Sequence, residues 1–101
     1  MMVRWTARAR ADLGEIHSFI STDSPQAAER VVQGIVATGK RLVQFPKSGR
    51  VVPESLTRDI REVLAPPYRI LYVVRERSVY VLGVIHSKRE MASVLKARGQ
   101  P

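Results

Sequence analysis

The chain has 101 residues, 45% of them apolar and 26% charged, which excludes wholesale disorder, a fibrous repeat and a second independent core, and predicts one domain over residues 1–101. Seventeen Lys and Arg against nine Asp and Glu give a net charge of +8, an imbalance that calls for an acidic partner surface, protein or nucleic acid. Six basic and four acidic residues lie in 1–46 but eleven and five in 47–101, so most of the excess belongs to the second half.

Val3 to Trp5 can open the chain as a short strand, and Thr6 stands where an N-cap would satisfy the first free amides of a helix. In that helix Ala9, Leu13, Ile16 and Ile20 make one apolar stripe, with Arg10, Asp12 and Glu15 expected in solvent. Ser21 to Ser24 interrupt the stripe, and Pro25 suits the first position of a second helix. Val31, Ile35, Thr38, Leu42 and Phe45 continue at helical spacing until Pro46 stops the run. Two amphipathic helices with a short link predict an antiparallel hairpin, in which Gly34 and Gly39 are expected to allow close approach to the first helix.

Beyond the turn residues Lys47 to Arg50 the period changes from 3.6 to 2. Ile60–Ala65, Tyr68–Arg75 and Ser78–His86 read as an antiparallel meander, separated by Pro66-Pro67 and Glu76-Arg77. Ser87 to Glu90 has the form of a capping box, and Met91, Val94 and Leu95 suit a short C-terminal helix. The predicted fold is α+β: a two-helix antiparallel hairpin packed on a twisted antiparallel sheet of three to four strands, the excess charge falling on the sheet's other face.

No cysteine is present, and two histidines make a metal site improbable, so neither metal nor cofactor is expected. The start lacks an apolar leader, and the longest apolar runs are too short for a bilayer, which predicts a cytoplasmic protein without a membrane partner. His17, beside an apolar stripe, is assigned no role, and Trp5, Tyr68, Tyr72 and Tyr80 are read as core rather than as base-stacking platforms. If Tyr68–Arg75 and Ser78–His86 pair through a two-residue loop, Arg69 faces Val84 and has His86 diagonally beside it. Arg69, His86, Lys88 and Arg89, with Arg61 from the preceding strand, would then offer phosphate-binding charge and one group that titrates near neutrality. The same pattern describes a basic, solvated sheet edge.

The ordered set of local motifs resembles the ParE/RelE superfamily of bacterial toxins over about residues 3–96. It comprises Val3-Arg4-Trp5-Thr6 with Ala11-Asp12-Leu13 and Ile16, Asp23 to Ala28, Phe45-Pro46 with Gly49-Arg50, Tyr68 to Tyr72, and Ile85 to Arg89. The resemblance implies the hairpin-on-sheet fold and two chemistries. RelE-like members cut messenger RNA on the ribosome, whereas ParE-like members poison DNA gyrase. Arg69 and Arg89 match the nuclease arginines, but the tyrosine of RelE proper falls on Leu95, and His86 stands too early to match the C-terminal histidine of other nucleases. The stretches Leu64–Ile70 and Val84–Arg89 read more like ParE.

The resemblance therefore implies a toxin that inhibits gyrase, has no catalytic residue or cofactor, and is neutralised by a cognate acidic antitoxin in a hetero-oligomer. Arg61, Arg69, His86, Lys88, Arg89, Lys96 and Arg98 are the expected target contacts, and Leu13, Ile16, Ile20, Val31 and Ile35 the expected antitoxin contacts. The alternative it leaves open is a ribosome-dependent endoribonuclease using Arg69, His86 and Arg89 on messenger RNA.

Overall fold

The computed structural model describes residues 1–55, 57, 59–89 and 91–98. The elements run β1 (Met2–Trp5), α1 (Ala7–Ser21), α2 (Pro25–Arg41), β2 (Arg50–Val51), β3 (Arg61–Ala65), β4 (Tyr68–Arg75), β5 (Ser78–His86) and α3 (Met91–Ala97). Local chemistry places the helix starts. The Thr6 hydroxyl accepts the Ala9 amide at 3.1 Å, and the Ser24 hydroxyl accepts that of Ala27 at 3.1 Å, with Pro25 next in line. Lys40 and Arg41 in the last turn of α2 oppose the negative end of its dipole.

The α+β architecture and the hairpin follow the sequence reading, but the sheet is larger and mixed. Its order is β1-β5-β4-β3-β2, and β1 lies parallel to β5 at one edge. Gly39 admits the Trp5 ring of β1, not helix α1: an added Cβ would stand 2.7 Å from Trp5 Cζ2, whereas one at Gly34 would meet nothing within 4 Å.

Both faces of the sheet are covered, which corrects the expectation of a charged, uncovered far face. On one side α1 and α2 bury Ala9, Ile35, Ile70, Val81 and Val84. On the other, α3 together with Val52 and Ile60 buries Leu71, Val73 and Ile85 beneath Met91, Val94 and Leu95. The apolar side of the short helix is therefore half of a second core. The capping box proposed at its start includes Glu90, which lies outside the described residues.

A buried hydrogen bond and a close backbone approach fix Gly49, just before β2. The Gly49 amide donates to the Tyr72 hydroxyl at 2.9 Å in a buried site, and an added Cβ at Gly49 would lie 2.5 Å from the Glu62 carbonyl oxygen. Tyr72→Phe is expected to orphan that amide and lower stability by about 1–3 kcal/mol, read from urea unfolding. On the α3 face Asp59 accepts hydrogen bonds from Thr57 and Arg75, in that order of effect, and they hold its carboxyl below the usual value of 3.8. A depressed carboxylate contributes stability that is complete above the unfolded value and is lost as pH falls through the folded one. Asp59→Asn should therefore flatten the acid limb of a plot of urea midpoint against pH, below about pH 4.

Candidate functional site

The β4–β5 hairpin does not keep one register. Tyr72 faces Val81, but Leu71 faces Gly83, so Leu82 is an extra residue and the ladder shifts by one beyond it. Arg69 consequently faces Ile85, while His86 faces Tyr68. Since side chains alternate across a strand, Arg69 lies on the α3 face and His86 on the hairpin face. This corrects the expected Arg69–His86 surface: the two residues are separated by the sheet.

Arg69 is 19% exposed and engaged at both ends of its guanidinium. One nitrogen lies 3.6 Å from Glu62 Oε2, and the other donates to the Ser87 carbonyl at 2.5 Å. Glu62 is 7% exposed, has Arg50 at 3.4 Å on its other oxygen, and leaves Oε2 without a hydrogen-bond partner. A buried carboxylate with one orphaned oxygen depends on its two arginines for charge compensation.

Two more of the expected target contacts are internal. Arg61 donates to the Gly49 carbonyl at 2.7 Å and so holds the loop before β2. Arg98 is 12% exposed and pairs with Asp12 Oδ2 at 2.7 Å and Oδ1 at 3.2 Å. Lys88 and Arg89 stand exposed in the turn after β5, and Lys96 is exposed on α3. The expected antitoxin stripe points inward: Ile35 is 1% exposed, and Leu13, Ile16 and Val31 pack around its cluster, while Ile20 is half-buried.

Asp12 is the residue that sequence reasoning misplaced. Expected in solvent, it is 3% exposed. Besides Arg98 it accepts the Val84 amide at 2.9 Å, with Arg8 at 3.7 Å, and so ties α1 to the free edge of β5 and to the residue that follows α3. An available clue was a second stripe, Arg8, Asp12, Glu15 and Phe19, at the same spacing as the apolar one and one residue ahead of it.

That second stripe lines a trough of about 280 Å³ between α1 and the end of β5. Tyr68 and His86 lie on the sheet side, Arg89 joins from the turn, and Phe19, 80% exposed, stands at the rim. The Tyr68 and His86 rings meet edge to face, with centroids 5.6 Å apart and an interplanar angle of 78°. His86 Nδ1 accepts the Lys88 amide at 3.1 Å, so the neutral imidazole carries its proton on Nε2. Such a site can bind anionic and apolar side chains side by side. Among the described residues no group of three potential ligands could hold a metal ion, and no helix is long and apolar enough to cross a membrane.

Comparison with known proteins agrees with the fold. The chain is 40% identical over 94 residues to the Sinorhizobium fredii protein named "Putative toxin Y4kP", covering 92% of this chain and 95% of that one. It is 36% identical over 88 residues to toxin RelE2 of Caulobacter vibrioides, covering 86% and 96%. A chain of the chromosomal ParDE toxin–antitoxin system of P. aeruginosa superimposes with a TM-score of 0.70 at 28% identity, over 85% of this chain and 95% of that one. Residues 3–91 match the family model for the ParE toxin of the type II toxin–antitoxin system parDE. With its hairpin on a mixed sheet and a match over most of its length, the chain belongs to the ParE toxin family.

Proposed function

We propose that this toxin arrests growth by inhibiting DNA gyrase in the bacterial cytoplasm, without a cofactor or a catalytic residue, and that a cognate acidic antitoxin neutralises it in a hetero-oligomer. The observation that carries the reading is the state of Arg69. A nuclease arginine must meet the scissile phosphate with an uncompensated charge and free donors, whereas Arg69 is neutralised by Glu62 and bonded to Ser87. Two further facts point the same way. His86 is on the other side of the sheet from Arg69, and Leu95, at the position of the tyrosine of RelE proper, is 3% exposed inside the second core.

Purified protein is expected to inhibit supercoiling of relaxed plasmid by gyrase and to stabilise cleaved DNA, with no effect on messenger RNA bound to ribosomes. Unaltered supercoiling together with cuts positioned by codon would overturn the proposal and restore the nuclease reading. Lys88, Arg89 and Lys96 remain the proposed target contacts, since all three are exposed.

A further inference from the structure

We propose that the trough between α1 and the end of β5 is the docking site for an extended acidic segment of the antitoxin, a carboxylate meeting Arg89 and an apolar side chain covering Phe19. The inference rests on the reading of this chain as a toxin neutralised by an acidic partner, and adds where and how the partner binds.

Three independent features select that occupant. The first is apolar. Phe19 is 80% exposed, the most exposed large apolar side chain among the described residues, and lines the same trough as the Tyr68–His86 pair, so a single apolar side chain laid into the trough would remove aromatic surface from water at its rim and on its floor. The second is charge. Arg89 is exposed and lines the trough with His86 and with Arg8, which is paired to Asp12 at 3.7 Å, while Asp12 and Glu15 interrupt the basic lining. A continuous phosphate backbone would be repelled by those carboxylates; a peptide that spaces its acids among apolar residues is not.

The third feature is the backbone. β1 pairs with β5 only from Ser78 to Val81, which leaves the β5 edge beyond Val81 without a neighbouring strand. The Val84 amide points out of the ladder to Asp12, and the Ser87 amide points into it toward Pro67, so the Val84 carbonyl and the His86 amide share the outward side. One acceptor and one donor two residues apart are what a residue of an extended chain running parallel to β5 requires, in line with the place β1 vacates.

The test uses the full chain and the protein encoded by the adjacent reading frame, co-expressed, separated and titrated by calorimetry at low and high salt. Arg89→Glu is expected to weaken binding by roughly tenfold at low salt, with a smaller deficit at high salt. Phe19→Ser should weaken it by roughly tenfold at both, since an apolar contact is not screened. Lys40→Glu, exposed at the end of α2, should bind as the parent does. Both test side chains are exposed, and circular dichroism checks that each variant is folded. Undiminished binding by Arg89→Glu and Phe19→Ser would overturn the docking site while leaving the toxin–antitoxin reading intact. Absence of binding by the parent chain would overturn both. A Phe19→Ser variant that binds the antitoxin normally but no longer arrests growth would assign the trough to the toxin's target and overturn the proposal.

Discussion

Asp12→Ala is expected to be the most damaging single change on the hairpin, lowering stability by about 3–5 kcal/mol in urea unfolding, a large part of the 5–15 kcal/mol typical of a small domain. The substitution leaves the Arg98 guanidinium, 12% exposed, without its counter-charge and the buried Val84 amide without its acceptor. These losses overlap and do not sum. Asp12→Asn keeps an acceptor for Val84 and should cost less, about 1.5–3 kcal/mol, through the lost charge on the Arg98 bonds. Arg98→Ala should also cost less than Asp12→Ala, because the carboxylate retains the Val84 amide and has Arg8 at 3.7 Å. An Asp12→Ala variant within about 1 kcal/mol of the parent would show that water replaces the pair at no cost, contrary to its burial.

The second large effect separates structure from chemistry at Arg69. Arg69→Ala alone should destabilise the fold by about 3 kcal/mol, at the lower end of the range for breaking a buried pair because the exposed Arg50 still faces Glu62 at 3.4 Å. Toxicity should fall with it. Replacing both partners, Arg69→Met with Glu62→Leu, removes the uncompensated carboxylate and should restore most of the stability, since apolar groups of similar size often substitute for a buried ion pair without loss. A gyrase poison then regains growth arrest. A nuclease that needs the Arg69 charge on its phosphate stays about 10²-fold slower however well it folds. Growth arrest and unfolding midpoints for the two single variants and the double decide between these outcomes, and a stable, non-toxic double variant would count against the gyrase reading.

Much of the fold was legible because it is encoded locally. Thr6 and Ser24-Pro25 are caps that act within four residues, and the change of period after Pro46 separates hairpin from sheet. What escaped was encoded at a distance. Gly83 inside the strand allows a bulge but does not require one, and the extra residue, Leu82, exchanges the faces of everything after it relative to β4, and with them the partners of Arg69 and His86. The apolar side of α3 was visible as Met91, Val94 and Leu95, but three residues carry no address, and the far face of the sheet was assigned to charge when it holds a core. Asp12 read as solvent-facing because its partner, Arg98, is 86 residues away.

The parallel pairing of β1 with β5 has a consequence for the order of events in synthesis. Met2–Trp5 leave the ribosome early, but the strand they must join, Ser78–Val81, is made late, so the first segment of the chain waits without its neighbour until nearly the whole sheet has been translated. The Asp12–Arg98 tie waits longer still. Contacts this distant in sequence close slowly and late, after the local helical hairpin has formed. A growing chain therefore exposes the sheet-facing side of that hairpin before any toxin fold exists. The β1–β5 edge is therefore completed after the hairpin, once Ser78–Val81 have been made.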